Sequence, residues 1–566
     1  MKRSNIILLS IALLIVAAYF IIRFYLQSNV DQDQKAPDES LDLRPLFIAK
    51  IQQLVKDGSK GLYHIEIDSM DVDLLQSQVI LRKVNLRHNN TVLRALDSLQ
   101  QTPDAVFNAS FDSLRIEGIN LDDVVNGKSI DLQEIYVHKP TIEIYHQVKS
   151  SSRSVDSVTL YDRLMKNMER IAIGRVTIHQ GQVVNHTKKE NKRTVFDDIA
   201  ISLNNILIDS STEHAADRFL FAKEATISLD NYEMKSNDDG YITKIGSLKI
   251  TAPEKKIRLT NVSFRSRYSR KEFQKGLTHQ KEQYDFSTPS VTIHNVNWWT
   301  LMHDSVFVAD ELTLSGGQLK IFLDRSLPRP KSKMGKFPHQ LIMKLPFKID
   351  VNRARIEKFR LRYEEFNPKT DDTGLVQFDD IDLAISGISN RLQERRRKSE
   401  INVTGSALFA NVPVKAKFHF DLLNHKSGRF SASFSAGEFE ANVVNKISQP
   451  LGLMKFEKGR INKLDVTMSG DEKKAKGTVL LLYNDFKISI YEPEKNKEGF
   501  DKKSFLGFIV NSFVVKNNNP SGNKPPRNPT VDFTRNPQTG FFNLVWKTTL
   551  SGILKTVGAN PGLAEK

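Results

Sequence analysis

No cysteine occurs anywhere in the 566 residues. This excludes disulfide scaffolds, thiolate zinc centres and cysteine nucleophiles, and it leaves oxidising and reducing compartments equally open. The 13 histidines are scattered, with no His-Glu-x-x-His pair to seat a catalytic zinc. The glycine-rich phosphate loops of nucleotide-binding proteins are missing, as is the Gly-x-Ser-x-Gly elbow of serine hydrolases. We therefore expect no enzyme, no cofactor and no metal. The acidic pairs Asp122-Asp123, Asp197-Asp198 and Asp379-Asp380 stand at expected strand entries, and turn capping by Asp accounts for them there. No recognised nucleic-acid module occurs, so no nucleic-acid partner is expected. Trp298-Trp299 reads as core or interface rather than as a base-stacking platform.

The chain does have enough apolar residues to fold, 39% hydrophobic with 9% aromatic, and disorder is not its default. Its 82 basic against 66 acidic residues give a formal charge of +16. The bases are spread out, and the one compact run, Arg395 to Lys398, reads as a solvated loop. From Ile6 through Leu13 and Phe20 to Leu26 the chain is almost continuously apolar. As a helix this stretch spans ~31 Å, close to the ~30 Å of bilayer hydrocarbon. The bulky residues from Tyr19 to Tyr25 stand where a signal peptidase would need small ones, so the run is expected to stay as a single anchor. Lys2 and Arg3 before it and Asp31, Asp33, Asp38 and Glu39 after it place the N-terminus in the cytoplasm and the bulk outside. Residues 1–28 are thus read as anchor and 29–40 as tether.

Beyond a helix expected from Leu43 to Lys56, apolar residues alternate with period two. Ile65, Ile67, then Met70, Val72 and Leu74 show it, with a phase slip at Ser69 that implies a bulge or bend. The rhythm recurs in Ile80 to Leu86, Ile135 to Tyr145, Ile199 to Ile208, Phe359 to Tyr363 and Ala416 to Leu422, among others, which suggests about 20 or more strands. Turn residues at hairpin spacing favour antiparallel pairing. Only Val155 to Ile173 and the two ends look helical. Two stretches look like copies of one unit: Ile171 to Ile208 and Ile349 to Ile388 each carry a strand, a charged loop, Phe-Asp-Asp-Ile (from Phe196 and from Phe378) and another strand. The expected fold is mainly β, a long curled antiparallel sheet or open groove built from repeated hairpins. Its β-rich regions would be 41–330 and 331–500, and a closed sandwich satisfies the same pattern.

Residues 501–566 look helical and amphipathic in two parts. One runs from Ser504 through Phe508 and Phe513. The other, after a linker from Asn517 to Pro537, carries Phe541, Phe542, Val545, Trp546, Leu550 and Leu554 at helical spacing. Both could cap the sheet, or Phe541, Phe542 and Trp546 could touch a membrane or a partner.

The anchor, the opening G-L-Y-H-I-E-I-D-S-M-D-V-D-L-L…V-I-L-R-K-V-N-L from Gly61 to Leu86 and the close F-V-V-K-N-N-N-P…G-F-F-N-L-V-W-K-T-T-L-S-G-I from Phe513 to Ile553 resemble the AsmA family of Gram-negative envelope proteins, in the form found in Bacteroidetes. Such proteins are similar to bridge-like lipid-transfer proteins. The resemblance implies an inner-membrane anchor, a periplasmic body and a sheet whose apolar face carries phospholipid toward the outer membrane, in outer-membrane biogenesis or maintenance. On that reading the lining would include Ile178, Ile201, Leu203, Ile227, Leu229, Phe418, Phe420 and Leu422, although each also suits an ordinary core. A scaffold holding envelope proteins on the same sheet is the alternative.

Overall fold

The computed structural model describes the chain from residue 44 to 564, apart from stretches of which the chief are 119–128, 147–168, 188–191, 392–398, 494–507 and 512–515. The expected anchor and tether lie outside the described residues, as does Asp122-Asp123. Among the described residues no helix is long and apolar enough to cross a membrane. The fold is mainly β, with 23 described strands, and it divides into two compact units. The first holds residues up to 237 with 244–259 and 296–304; the second holds 238–243, 260–295 and 305–566.

In the first unit, helix α1 (Arg44–Gly58) packs on β1 (Tyr63–Asp73) through the buried Ile51 and Val55. Strand β1 pairs with β2 (Gln78–His88), which leads through α2 (Asn90–Ser98) to β3 (Ala105–Glu117). Two short strands, β4 (Ser129–His138) and β5 (Thr141–His146), lie in series along β3. Both run antiparallel to β3 and parallel to β6 (Arg170–Thr187). Strands β7 (Lys192–Ile208) and β8 (Ala222–Lys235) complete the ladder. A hairpin, β9 (Tyr241–Thr251) and β10 (Lys256–Ser266), is shared out between the units residue by residue.

The second unit repeats this plan. After α3 (Arg270–Lys275), β11 (Gln283–His294) carries β12 (Val306–Ser315) and β13 (Gln318–Asp324) in series, antiparallel to it and parallel to β14 (Lys348–Asn367). The short helix α4 (Pro338–Met343) lies between β13 and β14 in the chain. Then follow β15 (Asp372–Ser389), β16 (Glu400–Phe409), β17 (Val412–Asp421) and β18 (Phe430–Ala436). Beyond the two-residue β19 (Phe439–Glu440) and α5 (Asn445–Gly452), β18 and β19 pair with β20 (Met454–Gly470), which pairs with β21 (Lys474–Pro493). Strands β22 (Phe508–Asn511) and β23 (Thr530–Thr534) pair with β21 along the edge away from β20, and α6 (Phe541–Val557) packs on β21 and β23.

The correspondence extends to single backbone bonds. The broken strand kinks at Lys139-Pro140 in one unit and at Gly316-Gly317 in the other. The amides of Lys139 and Gly316 donate to the carbonyls of His179 and Glu357, and those of Gln182 and Arg360 donate to Pro140 and Gly317. The β6–β7 and β14–β15 pairs then bulge at the same place, around Gly181 and around Phe359. The repeated module is therefore real.

Three expectations need correction. The sheet is mixed rather than antiparallel, because the broken strand in each copy runs parallel to the next long one. Such pairing needs a long return connection, and residues 147–169 and 325–347 supply one in each copy. The stretch from Ser504 was expected to be helical, but Phe508–Asn511 pairs with β21 as a strand; a short apolar run fits either state, and pairing at a sheet edge decides it. Likewise Arg170–Ile173 begins β6 rather than ending a helix. The phase slip at Ser69 is a bend without an extra residue. The ladder skips Asp68 and Lys83 between Ile67↔Val84 and Ser69↔Arg82; their side chains form an ion pair at 3.6 Å, and Lys83 takes φ 46°.

A candidate apolar binding face

Because alternate residues of a strand share a face, cross-strand register shows which residues line up. In the first unit Ile178, Ile201 and Ile227 form one row across β6, β7 and β8; Val176, Leu203 and Ala225 form the next, and Ile199 and Leu229 pair beside them. The five residues singled out from the sequence in this unit therefore share a face. Ile178, Leu203 and Leu229 are buried, and Ile201 and Ile227 are half-buried.

The other three lie in the second unit and meet a different fate. Phe418 and Phe420 stack side by side on β17, with ring centroids 6.2 Å apart, and Phe541 of α6 closes on them at 6.1 and 5.4 Å. Phe337 and Phe430 complete the cluster around Phe541 at 5.1 and 4.9 Å, and Leu422 is wholly buried in the same core. Phe541 is thus core, whereas Phe542 is 70% and Trp546 39% exposed on α6. Trp298, in the first unit, is core as well: its Nε1 donates to Ala252 O at 3.1 Å and its ring meets Phe219 edge-on.

Sequence reasoning missed a second apolar surface, on β11, β13, β14 and β15. Phe286, Leu319, Leu361 and Phe378 form one row across these strands. The next row is Tyr284, Ile321, Tyr363 and Val376, and the next Leu323, Glu365 and Gly374, with Arg325 just beyond the end of β13. Apart from the more exposed Tyr284, the apolar members of the first two rows are half-buried rather than sealed. Their neighbours in the strands are mostly polar, Phe322 and Leu375 excepted, and several pair among themselves on the opposite face, as with Arg360 and Asp379 at 2.5 Å and Arg362 and Glu364 at 2.9 Å. The alternation of Leu361, Tyr363 and Glu365 was visible in the sequence; what hid the surface was the parallel pairing that brings β13 alongside.

The third row makes a charged margin. Glu365 accepts from the Tyr363 hydroxyl at 2.5 Å and pairs with Arg325 at 3.2 Å, while Lys333 pairs with Glu282 nearby. Burial and then the charge of Glu365 push the Tyr363 hydroxyl well above the ordinary phenol value. Burial, then Glu282, lifts Tyr284 to about 12. Both hydroxyls therefore stay protonated as donors at any ordinary pH. Lys547 of α6 lies within electrostatic reach of Arg325, Arg329 and Glu365, and its ammonium is pushed down, first by burial and then by Arg325. The loop carrying these cations is pinned: Gln280 Nε2 donates to Arg325 O and Leu327 O, and Arg535 donates to Lys333 O and Thr539 O.

Asp197-Asp198 and Asp379-Asp380 lie in mid-strand bulges, not at strand beginnings, with Asp198 and Asp380 at φ 51° and 45°. Among the described residues no group of His, Asp and Glu is placed to hold a metal ion. Compared with protein-family models and with curated proteins, the chain matches none.

Proposed function

We propose that the chain is an AsmA-like envelope protein, held in the inner membrane by its N-terminal segment, with a periplasmic body that passes phospholipid along its apolar sheet face. The observation that carries this reading is the in-register apolar surface, half-open on β11, β13, β14 and β15 and repeated in type on β6, β7 and β8. An acyl chain of ~15 methylenes moving through water costs ~12 kcal/mol at ~0.8 kcal/mol per CH₂, and a continuous apolar face removes most of that. Movement along it is passive or driven by other proteins. A second reading, a scaffold for envelope proteins, draws support from Phe418, Phe420 and Leu422, which α6 shuts into an ordinary core.

The test uses the full chain made in a Gram-negative host with a photo-crosslinking residue at Ile201, Ile321 or Phe378, and the opposite-face positions Ser202 and Lys320 as controls. Phospholipid crosslinked at the first three and not at the controls supports transport. Crosslinks to proteins alone would move the assignment to the scaffold.

A further inference from the structure

The second unit ends in a third, altered copy of the module. Strands β20 and β21 form a long bulged pair like β6–β7 and β14–β15. Tyr483-Asn484-Asp485-Phe486 stands in β21 where Phe-Asp-Asp-Ile stands in β7 and β15, and Asp485 takes φ 56° as Asp198 and Asp380 take 51° and 45°. The register agrees. Two residues before that left-handed Asp, Phe196 faces Val183, Phe378 faces Leu361 and Tyr483 faces Ile461. A broken strand lies alongside as before, β18 then β19, although here it runs antiparallel; Phe439 pairs with Ile461 as Ile142 does with Val183 and Leu319 with Leu361.

The three rows differ in what covers them. In the third copy a helix does: Ile461 and Tyr483 are buried in one core with Leu550, Leu554 and Val557, which recur at i, i+4 and i+7 on α6. The helix runs in the sense of β21, since Phe541 and Leu544 share a core with Ala475 and Val479, and Leu550 and Leu554 share the next with Leu481 and Tyr483. Four residues along a helix rise ~6 Å and two along a strand ~7 Å, so one apolar residue meets each row. In the first two copies Val183, Phe196, Leu361 and Phe378 are only half-buried. Phe196 and Phe378 stack on their own sheet neighbours, Tyr232 at 4.8 Å and Phe409 at 5.5 Å, and α5 is seated two rows away, where Leu451 lies against Gly374.

We propose that the rows of the first two copies, Val183 with Phe196 and Leu361 with Phe378, are docking sites for an amphipathic helix of a partner protein, one with apolar residues at i, i+4 and i+7. The occupant is argued from the molecule itself: where the same row is filled, a helix of that pattern fills it, by the helix-in-groove mode of recognition. The inference goes beyond lipid carriage and does not rest on it. A helix needs only the row, and a helix and an acyl chain exclude each other there, so a partner docked in this way would also govern when lipid passes.

The experiment places a photo-crosslinking residue at Phe378 or at Phe196 in the full chain, held in phospholipid nanodiscs, with Lys320 on the opposite face as control. The probe is a hydrocarbon-stapled peptide of residues 541–557, added in trans, and the products are weighed by mass spectrometry. Crosslinks to the peptide are expected at Phe378 and Phe196 and not at Lys320. A peptide with Asp in place of Leu550, Leu554 and Val557 should crosslink at least about tenfold less, as should the native peptide on the chain carrying Leu361→Asp. The altered peptide leaves the protein untouched, so it decides the matter even where Leu361→Asp fails to fold by circular dichroism. Phospholipid crosslinked at the two positions without peptide overturns helix docking and leaves the lipid-carrying face standing. Peptide without phospholipid keeps helix docking and removes support from the lipid reading. Neither product overturns both, and equal crosslinking of the two peptides is mere adhesion and overturns the docking sites.

Discussion

Asp380 turns the backbone through the left-handed region at φ 45°, as Asp198 does at 51° in the other copy. Asp and Asn tolerate that conformation far better than a β-branched residue. Asp380→Gly is therefore expected to leave stability within ~0.5 kcal/mol, whereas Asp380→Val should cost ~2 kcal/mol, read as the shift in urea midpoint. The repeated Phe-Asp-Asp-Ile was legible as a repeat; its role was not, because a bulge inside a long strand leaves no mark that differs from a strand beginning. Gly387, at φ 78°, is a sharper case, since a Cβ there would stand 2.1 Å from Glu400 O. Gly387→Ala should cost ~2 kcal/mol or more. His339 sets a pH dependence. Its side chain is wholly buried beside Phe420 and neither ring nitrogen has a hydrogen-bond partner. Burial, then His425, pushes its pKa down to about 4, against a small opposing effect of Asp421. The unfolded chain takes up a proton near pH 6.5 that the native state refuses until about 4. Stability is thus complete above pH 6.5, is lost as pH falls through that window and levels off below 4, for ~3 kcal/mol in all. Urea midpoints from pH 7.5 to 4 should fall accordingly, and His339→Leu should flatten the curve.

Helix α6 holds the second unit together through one face. Leu544, Leu550, Leu554 and Val557 are buried on it, and Gly552 lets it lie against the sheet: a Cβ there would meet Val479 Cγ2 at 2.3 Å. Leu544→Ala is expected to cost ~3 kcal/mol and Gly552→Leu ~2 kcal/mol or more through overpacking. Phe542→Ala, at an exposed position, should cost under ~0.5 kcal/mol, all by chemical denaturation. This helix was legible because seventeen residues of clean apolar spacing leave little choice. The stretch at Phe508 was too short for that, and its state was set by β21 beside it. The parallel pairings were the hardest to see, since neighbouring strands carry the same alternation whichever way they run. The length of the stretch from Arg325 to Phe347, far beyond a hairpin loop, was the one signal that the chain doubles back.

At the scale of the whole chain the copied module is the organising fact: a broken strand in series, a return connection, then two long bulged strands. It was half legible, through the shared Phe-Asp-Asp-Ile and the strands around it; the broken strands upstream share no obvious sequence. If the apolar face carries lipid, Ile321→Asp is expected to lower severalfold the phospholipid recovered with the purified full chain, measured by mass spectrometry, while Lys320→Gln on the opposite face leaves it unchanged. The ladder also bears on how such a chain is made. Most strands pair with the strand just before them, so a chain emerging from its N-terminus can lay down each strand on the last without waiting for distant sequence. Helix α6 is different, since Phe541 must reach back to Phe337 and Phe430, far earlier in the chain. Assembly is then vectorial over most of the strands and fastened by α6, and a chain halted before Phe541 would carry an unfinished seam for proteases and chaperones to find.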